Sequence, residues 1–147
     1  MLFKRISRST AETVFIVVQN VSGSTVTAGY SVVFDVSTSV NGVRVTQGSA
    51  ADLGAYAGVA DADIADDAYG LVQVYGYRSA VYCLTVADSS TYSAGTGLDP
   101  VTSVWSLAPS TVAAGDKQFA FLREAITDST DTSSAYSANF KGFIRAL

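Results

Sequence analysis

The chain has 147 residues, of which 48% are hydrophobic and only 15% charged, and its net charge at pH 7 is −4. This length is typical of one domain that can bury a real core. The chain has no histidine and one cysteine, which excludes His-based catalytic triads, His-based zinc sites and an internal disulfide. The acidic balance disfavours binding to nucleic-acid phosphates. The sequence therefore predicts no enzyme, no cofactor and no nucleic-acid partner.

Strand patterns dominate the chain, and helix-period patterns are almost absent. The period-two pattern predicts strands at residues 13–21, 28–36, 43–45, 56–60, 69–77, 80–86, 101–107, 118–124 and 140–146. Between them, turn-forming residues predict one helical turn within 47–56, a turn at 61–67, a break at Arg78-Ser79, and polar loops at 87–100 and 127–137.

Two local signals add detail to this pattern. Asn41-Gly42 is the preferred pair for a type I′ turn and predicts a tight hairpin. The segment 13–21 is apolar on both faces and predicts a strand buried in the middle of a packed sheet. Short strands separated by turn signals predict one antiparallel β-barrel or β-sandwich over residues 10–147, with an extended N-terminal arm at 1–9.

Two features predict that the protein is made in a reducing cytoplasm and is not exported. The apolar run Val14–Val18, which follows the basic start of the chain, is too short for the hydrophobic region of a signal peptide. No segment reaches the ~20 apolar residues of a membrane span. We therefore expect no membrane partner.

The only acidic cluster lies between residues 61 and 67 and comprises Asp61, Asp63, Asp66 and Asp67. Calcium takes about six to eight oxygen ligands, and alternating aspartates can supply them. The EF-hand spacing is not met, because the central glycine and the final glutamate are absent. An exposed acidic turn, with Asp61 or Asp63 capping a helical turn through its carboxylate, is the preferred interpretation, and calcium binding is the alternative.

The cysteine and the aromatic residues have structural and functional interpretations. Cys83 lies in an apolar run, which predicts a buried, unreactive thiol. The aromatic residues can fill a core or an interface between subunits, or they can form a stacking platform for a sugar or a single strand. The residues in question are Tyr69, Tyr75, Tyr77, Tyr82, Trp105, Phe119 and Phe121.

Three segments carry a resemblance to a known family. They are Thr27–Val33 (TAGYSVV), Ala57–Ala60 (AGVA) and Tyr69–Gly76 (YGLVQVYG). In this order they resemble the β-rich structural proteins of tailed-bacteriophage heads, including capsid decoration (cement) proteins, over roughly residues 26–86. The resemblance implies a non-enzymatic virion protein that binds the outer capsid surface, often as a homotrimer, with the major capsid protein as its partner.

The N-terminal arm is the predicted partner-binding segment. The hypothesis is that its apolar residues insert into a neighbouring subunit while its basic residues pair with acidic groups. The residues involved are Leu2, Phe3, Lys4, Arg5, Ile6 and Arg8. Two alternatives stay open at this point: a carbohydrate- or receptor-binding head-fibre module, and a minor capsid or tail-tube subunit.

Overall fold

The computed structural model of the protein describes residues 2–3, 12–37, 42–85, 91–110, 118–127 and 136–146. The prediction of an all-β fold is confirmed, since the described chain forms strands and a single 3-10 turn at Leu53–Ala55. The strands are β1 Leu2–Phe3, β2 Thr13–Asn20, β3 Ser31–Phe34, β4 Arg44–Thr46, β5 Tyr56–Ala60, β6 Tyr69–Thr85, β7 Thr91–Tyr92, β8 Gly97–Pro100, β9 Leu107–Pro109, β10 Ala120–Leu122, β11 Ile126–Thr127 and β12 Tyr136–Arg145.

Strand β6 belongs to two closed circuits of paired strands. In the first circuit, β2 pairs with β4, β4 with β3, β3 with β5, β5 with β6, and β6 again with β2. In the second circuit, β6 pairs with β12, followed by β10, β8 and β9, which returns to β6. The 17 residues of β6 make this sharing possible, because its first half lies in one circuit and its second half in the other.

Each circuit encloses its own hydrophobic cluster. The first cluster consists of Val14, Val18, Val26, Val32, Val45, Ala57, Ala60, Ile64, Val72 and Val74. The second consists of Tyr56, Val59, Val81, Cys83, Leu98, Leu107, Ala120, Leu122, Ile126 and Ile144. Strand β5 is buried along its whole length and contributes side chains to both clusters. The two cores are therefore joined through β5 and β6.

Two glycines of the β5–β6 region permit the close approach of neighbouring strands. Gly58 has φ +136°, and a Cβ there would overlap the carbonyl oxygen of Gln73. Gly76 has φ +107°, and a Cβ there would overlap the carbonyl oxygen of Glu12. Only glycine adopts such positive φ angles without strain and leaves room for a backbone at this distance.

The first half of the chain largely follows the sequence prediction. The strand predicted at 56–60 is β5, and the strand predicted at 13–21 is β2. The prediction that β2 is buried on both faces is wrong at Val17, which is 57% exposed. In the hairpin between β3 and β4, Asp35 N donates to Arg44 O, and residues 38–41, which include the predicted turn residue Asn41, lie outside the described residues. Gly42 has φ +71°.

Several predictions for the second half of the chain are wrong. The predicted break at Arg78-Ser79 does not occur, because β6 continues through it with a register shift opposite Phe140 and Gly142 on β12. The predicted polar loop at 87–100 contains β7 and β8. The strand predicted at 101–107 is a loop that leads into β9. In addition, two pairings, β2 with β4 and β6 with β9, are parallel.

Candidate functional site

The ionisable groups of the second cluster are buried and neutral at ordinary pH. Cys83 is fully buried, and burial raises the pKa of its thiol to about 12. Burial likewise raises the pKa of the Tyr56 hydroxyl, with a smaller contribution from nearby Cys83. A thiol reacts as the thiolate, so the structure agrees with the prediction that Cys83 is a core residue and not a nucleophile.

Arg78 fastens the end of β5 to the middle of β6. Its guanidinium donates to Ala60 O at 2.8 Å and to Ala80 O at 2.9 Å, and Nη1 lies 3.1 Å from Asp61 Oδ1. The Arg78 side chain is only 11% exposed. Asp61, the first residue of the acidic cluster, thus pairs with a nearly buried cation.

Two other acidic residues of this cluster bind the backbone of the connection between β2 and β3. Asp63 accepts a hydrogen bond from Ala28 N at 2.8 Å, and Asp66 accepts one from Gly23 N at 2.9 Å. The prediction that Asp61 or Asp63 caps a helical turn is wrong, because residues 61–67 form no helix and the N–H groups bound here come from the connection between β2 and β3. The four candidate ligands, Asp61, Asp63, Asp66 and Asp67, do not converge. Among the residues that the structure describes, no group of three or more acidic or cysteine side chains is placed to hold a metal ion.

The start of the predicted arm lies against the chain's own sheet. Leu2–Phe3 forms β1 and pairs antiparallel with β2, with Leu2 opposite Phe15 and Phe3 opposite Val14. The remaining predicted arm contacts, Lys4, Arg5, Ile6 and Arg8, lie outside the described residues. Their role in binding a partner stays a prediction.

An apolar strip crosses the outer face of the first circuit. On β2 and β6, Val17 lies opposite Leu71, and Gln19 lies opposite Tyr69. Val17 is 57% and Tyr69 67% exposed, whereas Val18 and Val72 on the other face are fully buried. Phe15, two residues before Val17, is half-buried. We call Phe15, Val17, Tyr69 and Leu71 the apolar strip; its outward orientation was not predicted from the sequence.

Three aromatic rings from distant segments line a pocket of about 300 Å³. The ring centroids of Tyr30 and Tyr82 are 5.0 Å apart, and those of Tyr30 and Trp105 are 6.0 Å apart in a stacked arrangement. All three side chains are partly exposed. Tyr82 and Trp105 were among the candidate stacking residues, whereas Tyr30 was assigned only to a strand face. We call this the aromatic pocket.

The aromatic pocket also contains polar groups. Gln47, Ser103 and Ser106 contribute to its lining. Ser106 is 1% exposed, and within the described part of the chain its hydroxyl has no hydrogen-bond partner. The sequence pattern did not indicate these residues, because hydrogen-bonding side chains in loops carry no periodic signal.

A second depression, of about 320 Å³, is polar and contains the two buried aspartates Asp35 and Asp52. Asp35 accepts a hydrogen bond from the Ser37 hydroxyl at 2.8 Å, and Asp52 accepts one from the Ser49 hydroxyl at 2.6 Å. Each carboxylate is thus engaged by its own local turn, which is the usual way that buried aspartates are satisfied.

The comparisons with known proteins do not assign a family. No protein-family model matches the chain, and no curated protein matches its sequence. Among the described residues, no helix is long and apolar enough to cross a membrane. The resemblance to phage head proteins thus stays an interpretation of the sequence.

Proposed function

We propose that this protein is a non-enzymatic structural component of a tailed-phage virion that binds and stabilises the outer surface of the capsid lattice. The observation that carries the proposal is the apolar strip, where Val17 and Tyr69 expose more than half of their side-chain surface on a regular sheet face. Exposed apolar side chains that cluster in this way mark interaction surfaces. The resemblance over residues 26–86 supplies the class of partner, the major capsid protein.

The arm supports the same proposal. Strand β1 pairs with β2 beside the strip, so residues 1–9 start next to the surface that would dock. The first eight residues include three basic side chains and no acidic one. A short basic segment and an apolar strip on the same protein suit a partner that offers both an apolar groove and acidic groups. In this proposal the protein is made in the bacterial host cytoplasm and then resides on the virion surface.

Self-association is the second part of the proposal. A homotrimer presents three strips and three arms to a lattice that repeats the same binding surface. Weak single contacts then add up to firm attachment, because each further contact is made at a high effective concentration.

The proposal is tested by mixing the protein with empty heads from its source and analysing the mixture by size-exclusion chromatography with light scattering. We expect a defined small oligomer, such as a trimer, that co-elutes with heads. Val17→Asp and Tyr69→Asp should each abolish co-elution, because they place a charge in the docking surface. Deletion of residues 2–8 should weaken it.

Val36→Asp is the matched control, since Val36 is a 45% exposed valine outside the apolar strip. It should bind heads as the unchanged protein does. Equal loss of binding in Val36→Asp and Val17→Asp would overturn the role of the strip. A monomer that ignores heads, or a polymer that forms without them, would overturn the decoration function itself.

A further inference from the structure

The geometry of the aromatic pocket points to a binding site for a neutral saccharide. This inference does not rest on the proposed capsid function, because none of its residues belongs to the apolar strip or to the arm. It starts from three features of the described residues at the pocket: stacked rings that are partly exposed, a buried hydroxyl without a partner among them, and a lining without charged side chains.

The pocket is held in shape by the backbone. Trp105 O accepts a hydrogen bond from Ser31 N at 2.8 Å, and Ser103 N donates to Gly48 O at 2.8 Å. Tyr82 N donates to Gly29 O at 2.9 Å, next to Tyr30. The loop that carries Trp105 is thus fixed to β3 and to the 47–49 segment. Such a preformed site loses little conformational entropy when it binds a ligand.

Ser103 supports a role for this loop. Its φ of +60° is one of two positive φ values at non-glycine residues in the described chain. Serine adopts this conformation at an energetic cost, and strained residues concentrate at functional sites. Here the conformation allows the hydrogen bond to Gly48 and brings Trp105 up to Tyr30 and Tyr82.

Ser106 provides an independent observation, a buried polar group at the pocket that has no partner. Its side chain is fully buried among the lining residues, yet its hydroxyl has no partner within the described residues. Buried polar groups in native proteins are nearly always hydrogen-bonded. Because this oxygen has almost no accessible surface, a ligand hydroxyl at the pocket would pair with it after a rotation of the Ser106 side chain. The Gln47 amide likewise makes no hydrogen bond within the described chain, and it is half-exposed at the same pocket.

The chemistry of the lining selects the ligand class. Among the residues that the structure describes, no lysine, arginine, aspartate or glutamate lines the pocket, so this lining offers no counter-ion to a phosphate, carboxylate or ammonium group. Aromatic rings provide apolar faces, while serine hydroxyls and an amide provide donors and acceptors around them. A pyranose ring matches this set, because one face exposes C–H bonds and its rim carries hydroxyls.

The experiment uses the single tryptophan of the chain as its probe. Isolated protein is titrated with neutral oligosaccharides of glucose, galactose and N-acetylglucosamine, with a sialylated oligosaccharide and with a mononucleotide, while Trp105 fluorescence is recorded. We expect a saturable change with at least one neutral oligosaccharide and none with the anionic ligands. Absence of saturation with every neutral oligosaccharide would overturn the proposal, as would a preference for the anionic ligands.

Variants separate this site from the capsid surface. Ser106→Ala should fold normally and weaken saccharide binding by roughly two- to tenfold, the effect of one lost hydrogen bond. Tyr82→Leu should weaken it further by removing a ring. Tyr69→Ala, which removes an exposed tyrosine outside the pocket, should leave saccharide affinity unchanged. Equal affinity in Tyr82→Leu and the unchanged protein would overturn the assignment of the pocket. If Tyr69→Asp loses head binding but retains saccharide binding, the two binding sites are independent of each other.

Discussion

The two circuits that share β6 are built from side chains of different size. The first cluster consists of valines and alanines with a single isoleucine, whereas the second contains three leucines, two isoleucines and a tyrosine. Small β-branched residues pack well against the pleated surface of a sheet. Both circuits contain strands of only three or four residues, β3 and β4 in the first and β8, β9 and β10 in the second. The two circuits therefore differ in side-chain bulk and not in strand length.

The junction between the circuits decides whether they behave as one unit. Strand β5 buries Ala57 and Ala60 in the first cluster and Tyr56 and Val59 in the second. Loss of either core exposes apolar surface of the same strand. We therefore expect both circuits to unfold together in a single transition.

The largest effect is expected from Gly76→Ala. The new Cβ would overlap the carbonyl oxygen of Glu12 at a residue with φ +107°, and both strain and strand separation follow. We expect the free energy of unfolding to fall by about 3–4 kcal/mol in chemical denaturation, within a single transition.

Gly95→Ala is the matched control for this substitution. Gly95 has φ +93°, and a Cβ there would meet no atom within 4 Å. The free energy of unfolding of Gly95→Ala should fall by only about 1–2 kcal/mol, the cost of placing alanine at a positive φ angle. Equal losses at Gly76 and Gly95 would refute the importance of close strand approach at the junction. Two separate transitions in Gly76→Ala would refute the coupling of the circuits.

The second effect concerns Arg78, which fastens β5 to β6 at the same junction. Arg78→Met keeps the apolar stem but removes the hydrogen bonds to Ala60 O and Ala80 O and the ion pair with Asp61. We expect a loss of about 2–3 kcal/mol, because hydrogen bonds from a charged donor are lost at a nearly buried position.

Arg145→Met tests whether the position of the charge matters. Arg145 is exposed and donates to Gln118 O at 2.8 Å. Its replacement should cost less than about 1 kcal/mol, as for exposed charged groups generally. A similar loss for both variants in thermal or chemical denaturation would show that the junction has no special dependence on Arg78.

The sequence indicated the elements of the first circuit better than those of the second. The predicted strand 56–60 coincides with β5, because five consecutive small or apolar residues are buried on both faces. Strands β8 and β9 contain Pro100 and Pro109, residues that signal a loop. They form strands because they pair with each other, Leu98 with Pro109 and Pro100 with Leu107. Their other partners, β10 for β8 and β6 for β9, come from distant segments, and such pairing leaves no mark in a local pattern.

The same limit applies to the candidate sites. The alternating pattern of a strand can assign Tyr30 and Tyr82 to strand faces. It does not show which of those faces pack against each other in the fold. The aromatic pocket exists because β3, β6 and the loop at 101–106 come together. The acidic segment shows the same limit, because the backbone N–H groups that bind Asp63 and Asp66 belong to Ala28 and Gly23, which lie far away in the sequence.

The smallest effect, and the one that reports on the second circuit alone, is the pH dependence caused by Cys83. The folded protein holds the thiol proton until the pH approaches its raised pKa of about 12, whereas an unfolded thiol releases it near about 8.5. Between these values the unfolded state binds fewer protons, so the free energy of unfolding falls as the pH rises. The slope for one proton is at most about 1.4 kcal/mol per pH unit.

Cys83→Ala should flatten this slope between about pH 8.5 and 10, below the range where an unfolded tyrosine begins to ionise extensively. The slopes of the free energy of unfolding against pH are measured by chemical denaturation for both proteins. Comparing slopes removes the pH-independent loss of stability that the smaller alanine side chain causes. Because Cys83 belongs to the second cluster, a pH effect on the whole transition means that the first circuit unfolds with the second. A pH effect confined to part of the unfolding signal would mean that the second circuit opens first, and identical slopes in both proteins would contradict the burial of the thiol.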